Sequence, residues 1–332
     1  MEVKYFPFQP HCFAFGGFDL QMLNTLEAVR NAGVNAEKLD VWSRDADFEI
    51  LHIWGMGPSN FDVTDWARKA GKKVVATVLL PYHDTLRSLL GYFYRWTLGE
   101  GRHLISHLKA ADRVVVLNEG QSRVLQRFYG VAKERICIIP NIIESAYFEP
   151  PEFDFKAHYS IEDFVLCTGN ISYRKNQLNL ARACVDMNQN LVLIGNVLDG
   201  AESYGQELEK LIRDNPRILW IRELPKASGA LIGAYHECRV FALPSRNETQ
   251  PISALEAAAM KKPLVLMDRA YARQQFYKGA FLCHSSSPAD IRRALEKALG
   301  KKEEGETGPD LTACTAAEVG ARYKECYHQI SK

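Results

Sequence analysis

Residues 243–263 carry two carboxylates at a place where parallel-sheet proteins bind ligands. The sequence LPSRNETQPISALEAAAMKKP predicts the end of a buried strand, a polar loop and a helix that starts at Pro251. Glu248 lies in the loop and Glu256 in the helix, with seven residues between them. The N-terminus of such a helix favours an anion such as phosphate. Taken singly, however, the two residues are also typical of a solvated loop and an exposed helix face.

Two cations lie in a second stretch of this kind, GNISYRKNQ, at residues 169–177. Arg174 and Lys175 follow the predicted strand 164–168 and precede the predicted helix 177–187. Cations and free N–H groups in that position can offset the charge of a diphosphate. From the residues alone, two solvated cations in a polar loop are the simpler explanation.

Two further places in the first half of the chain could carry function. His83 and Asp84 follow a predicted buried strand in the stretch LLPYHD, and a polar loop at the end of a strand is a frequent place for a functional histidine. Gly16 and Gly17 precede the predicted helix 18–32, where glycine lets a backbone approach a ligand. From the residues alone, a core histidine is an equally good explanation at the first place, and an ordinary turn is an equally good explanation at the second.

The elements that must position these residues alternate between strand and helix along almost the whole chain. Such alternation predicts an α/β fold with parallel sheets covered by helices on both faces. A proline-bearing stretch at 140–154 interrupts the alternation, and a charged stretch, KKEEGETGPD, precedes a final predicted helix at 316–330. We therefore predict one domain over 1–145, a second over 146–310 and a C-terminal helical segment over 311–332.

Composition excludes several classes of protein. The 332 residues are 47% hydrophobic and 24% charged, which is typical of a soluble globular protein. A net charge of +1 gives no argument for nucleic acid as a partner. The eight cysteines form no CxxC pair, and neither a signal peptide nor a membrane span is visible, so we expect a reduced, cytoplasmic setting. The DxD pattern at Asp45–Asp47 is interpreted as solvated loop acids, and no metal site is predicted.

Taken together, these landmarks resemble the family 4 retaining glycosyltransferases over nearly the whole chain. Glu248 and Glu256 match the E-x7-E motif of that family, and residues 169–177 resemble its donor-diphosphate loop. The stretches IIPNIIESAYF and GARYKECYHQI are similar to its interdomain segment and its final helix. The resemblance implies the GT-B fold, in which two Rossmann-like domains face a cleft and the C-terminal helix crosses back to the first domain. It also implies an acceptor-side first domain and a second domain that binds the nucleotide sugar.

The resemblance also implies roles for individual residues. Lys175 and Arg174 are expected to contact the diphosphate, Glu256 the ribose hydroxyls, Glu248 the transferred sugar and His83 the reaction centre. The predicted catalytic residues are thus His83, Glu248 and Lys175. The predicted donor-binding residues are Gly16, Gly17, Gly169, Asn170, Arg174, Lys175, Glu248, Thr249, Gln250 and Glu256. Asn170 stands where most relatives carry Arg, and Pro251 lacks an N–H that many relatives donate to the donor.

The function predicted in this way is transfer, with retention, of a sugar from a UDP- or GDP-linked donor to an acceptor hydroxyl. The acceptor is a glycan, a lipid-linked sugar or a small molecule, and neither a cofactor nor a metal is expected. Residues 86–108 mix Arg, His and aromatic side chains and could contact a membrane surface peripherally, although a buried helix is the more common explanation. The alternatives are a catalytically silent nucleotide-sugar-binding protein and an epimerase or phosphorylase with the same fold.

Overall fold

The computed structural model describes residues 1–13, 16–80, 99–300 and 308–331. The chain divides into two units, each with its own sheet. The first unit comprises Met1–Ile142 and Thr312–Lys332, and the second comprises Ile143–Leu311.

Strands and helices alternate through most of both units. In chain order, the described strands are β1 (Glu2–Phe6), β2 (Asn35–Lys38), β3 (Ile50–Trp54), β4 (Lys73–Thr77), β5 (Arg113–Val116), β6 (Ile136–Ile138), β7 (Phe164–Thr168), β8 (Asn190–Ile194), β9 (Ile218–Ile221), β10 (Val240–Leu243), β11 (Leu264–Met267) and β12 (Phe281–Cys283). The described α-helices are α1 (Gly17–Asn31), α2 (Phe61–Lys69), α3 (Gly99–Ala110), α4 (Glu119–Tyr129), α5 (Phe155–Tyr159), α6 (Gln177–Asp186), α7 (Glu202–Arg213), α8 (Gly229–Glu237), α9 (Ile252–Ala259), α10 (Pro288–Gly300) and α11 (Ala316–Ser331).

The first unit is built on a six-stranded parallel sheet in the order β2-β1-β3-β4-β5-β6. Strand β3 is buried along its whole length, and its side chains enter two separate apolar clusters. Ile50 and Trp54 pack in the cluster that contains α1 and α11, whereas Leu51 and Ile53 pack in the other. Because alternate side chains point to opposite faces of a strand, this division shows that both faces of the sheet are covered, as predicted.

The second unit repeats this architecture with the strand order β12-β11-β10-β7-β8-β9, again parallel. Strand β7 lies in the middle, between β8, which follows it in the chain, and β10, which comes much later. The chain therefore winds in one direction from β7 to β9 and in the other from β10 to β12. Open α/β sheets bind ligands at the carboxyl ends of the strands beside such a switch point.

The C-terminal helix α11 belongs to the first unit, where it packs against α1. The backbones approach closely, since a Cβ on Gly320 would lie only 2.3 Å from the carbonyl oxygen of Ala28. Tyr327 of the same helix places its hydroxyl 2.7 Å from Nδ1 of the fully buried His52. The return of the final helix to the first domain is thus confirmed, and it completes a polar network inside that core.

Local differences from the sequence prediction concern polar or glycine-bearing segments. No strand was predicted for β2, whose sequence NAEK contains only one buried residue, Ala36. No helix was predicted for α2. Within the described residues, α3 continues through Gly101 without interruption.

Candidate functional site

The loops that follow β7 and β10 lie side by side at the switch point of the second sheet. These strands are direct neighbours, with Val240 opposite Val165. The two loops are also joined directly, because the Arg246 N–H donates to the Arg174 carbonyl oxygen at 2.8 Å. The fold therefore brings together the two stretches that the sequence singled out for chemistry.

Glycine shapes the first of these loops. Gly169 has φ +121°, a conformation that L side chains rarely adopt, and the Lys175 ammonium lies over it. Any Cβ at Gly195, in the loop after β8, would lie 2.4 Å from the Gly169 carbonyl oxygen. The buried Gln177 side chain donates to the carbonyl oxygens of Gly169 and Asn170, and these hydrogen bonds hold the loop backbone in place.

Glu248 is the centre of a sheltered ion cluster. Its Oε1 atom accepts hydrogen bonds from Arg174 Nη1 at 2.6 Å, Lys175 Nζ at 2.8 Å and Ser245 Oγ at 2.9 Å. The side chains of Glu248 and Lys175 are only 11% and 12% exposed. Burial alone would raise the pKa of Glu248, but Lys175, Arg174 and Ser245 hold that pKa below its usual range. The alternative of a solvated loop residue is therefore wrong for Glu248.

Arg246 braces the same cluster from the other side. Its guanidinium lies 4.2 Å from the centre of the Tyr173 ring and donates to Ser286 Oγ at 2.8 Å. It also donates to Asn176 Oδ1 at 3.3 Å, at the start of α6. Ser286 belongs to the loop after β12, so three loops at the carboxyl edge of the sheet are tied together.

Glu256 lies in a second, separate polar cluster on α9 and is 9% exposed. The Tyr235 hydroxyl donates to its Oε2 atom at 2.7 Å, and Thr168 Oγ1 lies 2.6 Å from the Tyr235 hydroxyl. Burial above all, with the charge of nearby Glu144, raises the pKa of Glu256 to about 7, against the hydrogen bond from Tyr235 and the charge of Lys226. The alternative of an exposed helix face is therefore wrong for Glu256 as well.

The segment between the two glutamates is held by the turn that follows β11. The Gln250 side chain, 4% exposed, donates to Gln274 Oε1 at 2.9 Å, and the Gln274 amide donates to the Thr249 carbonyl oxygen at 2.7 Å. Pro251 occupies the N-cap of α9 with ψ 120°, so the helix begins at Ile252 rather than at the proline. No side chain caps this helix, and its N-terminus therefore favours an anion.

In the first unit, Gly16 is the N-cap of α1 and Gly17 its first residue. The Gly16 N–H donates to Asp19 Oδ2 at 2.9 Å, and Gln9 donates to the same oxygen at 3.1 Å. Asp19 is 2% exposed, so its carboxylate caps the helix from inside the unit. His83 and Asp84 lie outside the described residues, as do residues 86–98 of the segment considered for membrane contact.

The remaining sequence candidates are surface features. Asp45 and Asp47 are exposed loop residues, as predicted, and the Asp45 carboxylate accepts a hydrogen bond from the Asp47 N–H at 2.9 Å. Among the described residues, no group of three or more His, Cys, Asp or Glu side chains is arranged as a metal site. Within the same residues, no helix combines the length and the apolar character needed to span a membrane.

Several residues of the two clusters were not singled out from the sequence. Ser245 and Arg246 follow β10 after Pro244, and a polar pair just past the end of a buried strand was a signal that could have found them. Tyr235 carries no such signal, because it meets Glu256 and Thr168 only once α8 has packed.

Two parallel α/β units with polar clusters at the carboxyl edge of the second sheet define a GT-B protein. Residues 21–147 match the family model described as Glycosyltransferase Family 4, and residues 149–307 match the model described as Glycosyl transferases group 1. The chain belongs to the family 4 glycosyltransferases. The predicted family and fold are thus confirmed.

The relatives named here are distant in sequence but are matched over most or all of their length. Alpha-galactosylglucosyldiacylglycerol synthase of Streptococcus pneumoniae is 25% identical over 315 residues, covering 84% of this chain and 83% of that protein. The crystal structure of Anabaena HepE in complex with UDP-glucose has a TM-score of 0.73 at 14% identity and covers 100% of both chains. UDP-GlcNAc 2-epimerase from Methanocaldococcus jannaschii has a TM-score of 0.62 at 11% identity, covering 99% of this chain and 100% of that one. The two structural likenesses concern the fold alone.

Proposed function

We propose that this glycosyltransferase moves a hexose from a UDP- or GDP-linked donor to an acceptor hydroxyl with retention of configuration. The observation that carries the proposal is the convergence of Lys175 and Arg174 on Glu248 at the switch point of the second sheet. Two cations beside an uncapped helix N-terminus suit a diphosphate leaving group, because they offset the charge that develops as the glycosidic bond breaks. The complexes of HepE with UDP and UDP-glucose support a uridine donor.

The other roles in this proposal follow from the motif. Glu256 accepts hydrogen bonds from the ribose hydroxyls, and Glu248 lies near the transferred sugar. Backbone groups at Gly169, Asn170, Thr249 and Gln250 contact the donor. In the first unit, we assign Gly16 and Gly17 to donor binding and His83 to the reaction centre. His83→Ala should therefore mainly lower turnover. No metal is required, because the cations already supply the positive charge.

The name of the pneumococcal relative supports a lipid-linked acceptor such as a diacylglycerol glycoside. A glycan or a small sugar remains the second class to test. A lipid acceptor also gives a reason to test residues 86–108 for peripheral membrane contact, by sedimenting the chain with anionic and neutral vesicles.

The test is a transfer assay with UDP-glucose, UDP-galactose and GDP-mannose, each offered with a diacylglycerol glycoside or a free sugar, with and without EDTA. We expect a glycoside whose anomeric configuration matches that of the donor, at a rate that EDTA does not change. An inverted product would refute retention, and loss of activity in EDTA would refute metal independence. Formation of an epimeric nucleotide sugar without transfer would favour an epimerase. Nucleotide binding without turnover would favour a silent binding protein, for which Pro251 and Asn170 are the relevant departures from the motif.

A further inference from the structure

A chain of buried hydroxyl groups leads to the Glu256 carboxylate. The Tyr235 hydroxyl donates its single proton to Glu256 Oε2, so the Thr168 hydroxyl must donate to Tyr235 across their 2.6 Å separation. Tyr235 is fully buried and Thr168 is 6% exposed. The orientation of the carboxylate is therefore set by groups that solvent does not reach.

A second phenol, Tyr147, lies beside this chain. It belongs to the short 3-10 turn Ser145–Phe148, is fully buried and packs edge-on against the Tyr235 ring at 5.4 Å. Its hydroxyl makes no hydrogen bond of normal geometry to any described residue. Even so, it lies near enough to Glu256 that each group shifts the pKa of the other. A buried hydroxyl without a partner is unfavourable and calls for an explanation.

The groups around Glu256 act in opposite directions on its ionisation. Burial and the charge of Glu144 favour the protonated acid, whereas the Tyr235 hydroxyl, the Tyr147 hydroxyl and Lys226 favour the carboxylate. Lys226 is itself paired with Glu144, which weakens the effect of both charges. Among the groups that favour the carboxylate, Tyr235 has the largest effect, and Tyr147 adds a smaller one in the same direction.

We propose that Tyr235 and Tyr147 are positioning residues of the donor site, which act through Glu256. Tyr235, fixed by Thr168, orients the carboxylate. Tyr147 supplies a second, weaker donor to the same carboxylate, and its hydroxyl reaches normal hydrogen-bond geometry when the carboxylate accepts hydrogen bonds from a ribose diol. The inference rests on the proposed function, because it needs Glu256 as the ribose contact.

The experiment compares UDP with 2′,3′-dideoxy-UDP by calorimetry, in the parent chain and in Tyr235→Phe and Tyr147→Phe. GDP and its dideoxy analogue replace them if the parent chain prefers guanosine. Each phenylalanine variant keeps the ring and loses only the hydroxyl. We expect each to weaken UDP binding about tenfold, as the loss of one hydrogen bond to a charged group implies, and to leave dideoxy-UDP unchanged. The pH at which UDP binding is half-maximal should also move upward, because the carboxylate has lost a stabilising donor.

The same substitutions in a Glu256→Gln background decide whether the phenols act through Glu256. No further loss in that background supports the inference, and an equal loss overturns it. Equal weakening of both nucleotides, or no weakening of either, also overturns it. Tyr323→Phe, which removes a buried hydroxyl from the first unit, is the control and should bind both nucleotides as the parent does.

Failure of the proposed function has a different signature. It fails if the parent chain binds neither UDP nor GDP, or if Glu256→Gln leaves their affinity unchanged. If Glu256→Gln weakens UDP binding but both phenylalanine variants bind normally, only the positioning role is refuted.

Discussion

Glu248 forms ion pairs with Arg174 and Lys175, the two cations that we expect to bind the diphosphate. Its Oε1 atom lies 2.6 Å from Arg174 Nη1 and 2.8 Å from Lys175 Nζ. A ligand must therefore compete with a sheltered carboxylate for both cations. A diphosphate, which carries two or more negative charges, can replace those contacts, whereas a monoanion can replace only part of them.

Replacing Glu248 by Gln tests this competition. Glu248→Gln keeps the shape of the side chain and removes its charge, so Lys175 and Arg174 lose their anionic partner. We expect UDP to bind about three- to tenfold more tightly, measured by calorimetry, while transfer falls. Weaker UDP binding would contradict this expectation and would show that Glu248 chiefly organises the two cations.

Removing Lys175 should have the opposite effect on binding. Lys175→Met keeps the length of the side chain but removes the charge closest to Gly169. The loss of a charge-assisted hydrogen bond, about 1.5–3 kcal/mol, predicts UDP binding weaker by about 10- to 100-fold in calorimetry. The matched control is Lys156→Met, because Lys156 forms a surface pair with Glu162 at 3.7 Å. Equal losses in both variants would point to a general charge effect instead.

The residues of the two clusters differ in how far the sequence could predict them. Lys175 and Glu248 lie in polar loops between a strand and a helix, a position that can be recognised from local pattern. Tyr235 lies in an apolar helix, and its partners are 21 and 67 residues away in the chain. Such a cluster exists only once α8, α9 and β7 have packed, so no local pattern indicates it.

At the scale of elements, apolar runs predicted the strands that are buried on both faces. Strands β3, β7 and β10 are examples, since every one of their residues is buried. Strand β2 escaped prediction because it is a polar edge strand that pairs only with β1. Pairing at an edge depends on the neighbouring strand rather than on burial, and it leaves little hydrophobic signal.

The contact between α1 and α11 makes a prediction about Gly320. A Cβ at this position would lie 2.3 Å from Ala28 O and 3.4 Å from Ala32 Cβ, so the two helices would have to separate. We expect Gly320→Ala to lower the free energy of unfolding by about 1–3 kcal/mol, despite the better helix propensity of alanine. Urea unfolding measures the change. The control is Gly300→Ala at the end of α10, where an added Cβ meets no atom of the described residues within 4 Å. A Gly320→Ala chain as stable as this control would contradict the close approach.

At the scale of the whole molecule, strand–helix alternation predicted two parallel α/β units, but not which unit receives the final helix. An amphipathic pattern identifies a helix and its apolar face, not the surface it covers. The prediction that α11 packs in the first unit rested on the resemblance to a family. Within the first unit its Tyr327 side chain completes a network with His52, which lies 275 residues away in the chain.

The two units contain buried ionisable groups that respond to pH in opposite directions. Burial lowers the pKa of His52 from 6.5 to about 3, so between these values the unfolded chain binds one more proton than the folded first unit. Stability from the neutral His52 is therefore lost as the pH falls below about 6.5. Burial, as the main cause, raises the pKa of Glu256 from 4.5 to about 7, so in that range the folded second unit holds the extra proton. Stability from protonated Glu256 is therefore lost as the pH rises toward 7.

Lowering the pH from 6.5 to 5 should thus destabilise the first unit through His52 and stabilise the second through Glu256. Each group alone contributes a slope of about 1.4 kcal/mol per pH unit, because one proton is linked to unfolding in each case. Hydrogen exchange, corrected for its intrinsic pH dependence, measures the stability of each unit separately, in peptides from β3 for the first unit and from α9 for the second. His52→Phe should flatten only the response of β3, and Glu256→Gln only that of α9. If both units respond in the same direction and neither variant changes the response, other groups govern acid stability, and these two side chains are not the buried titrating sites that their surroundings indicate.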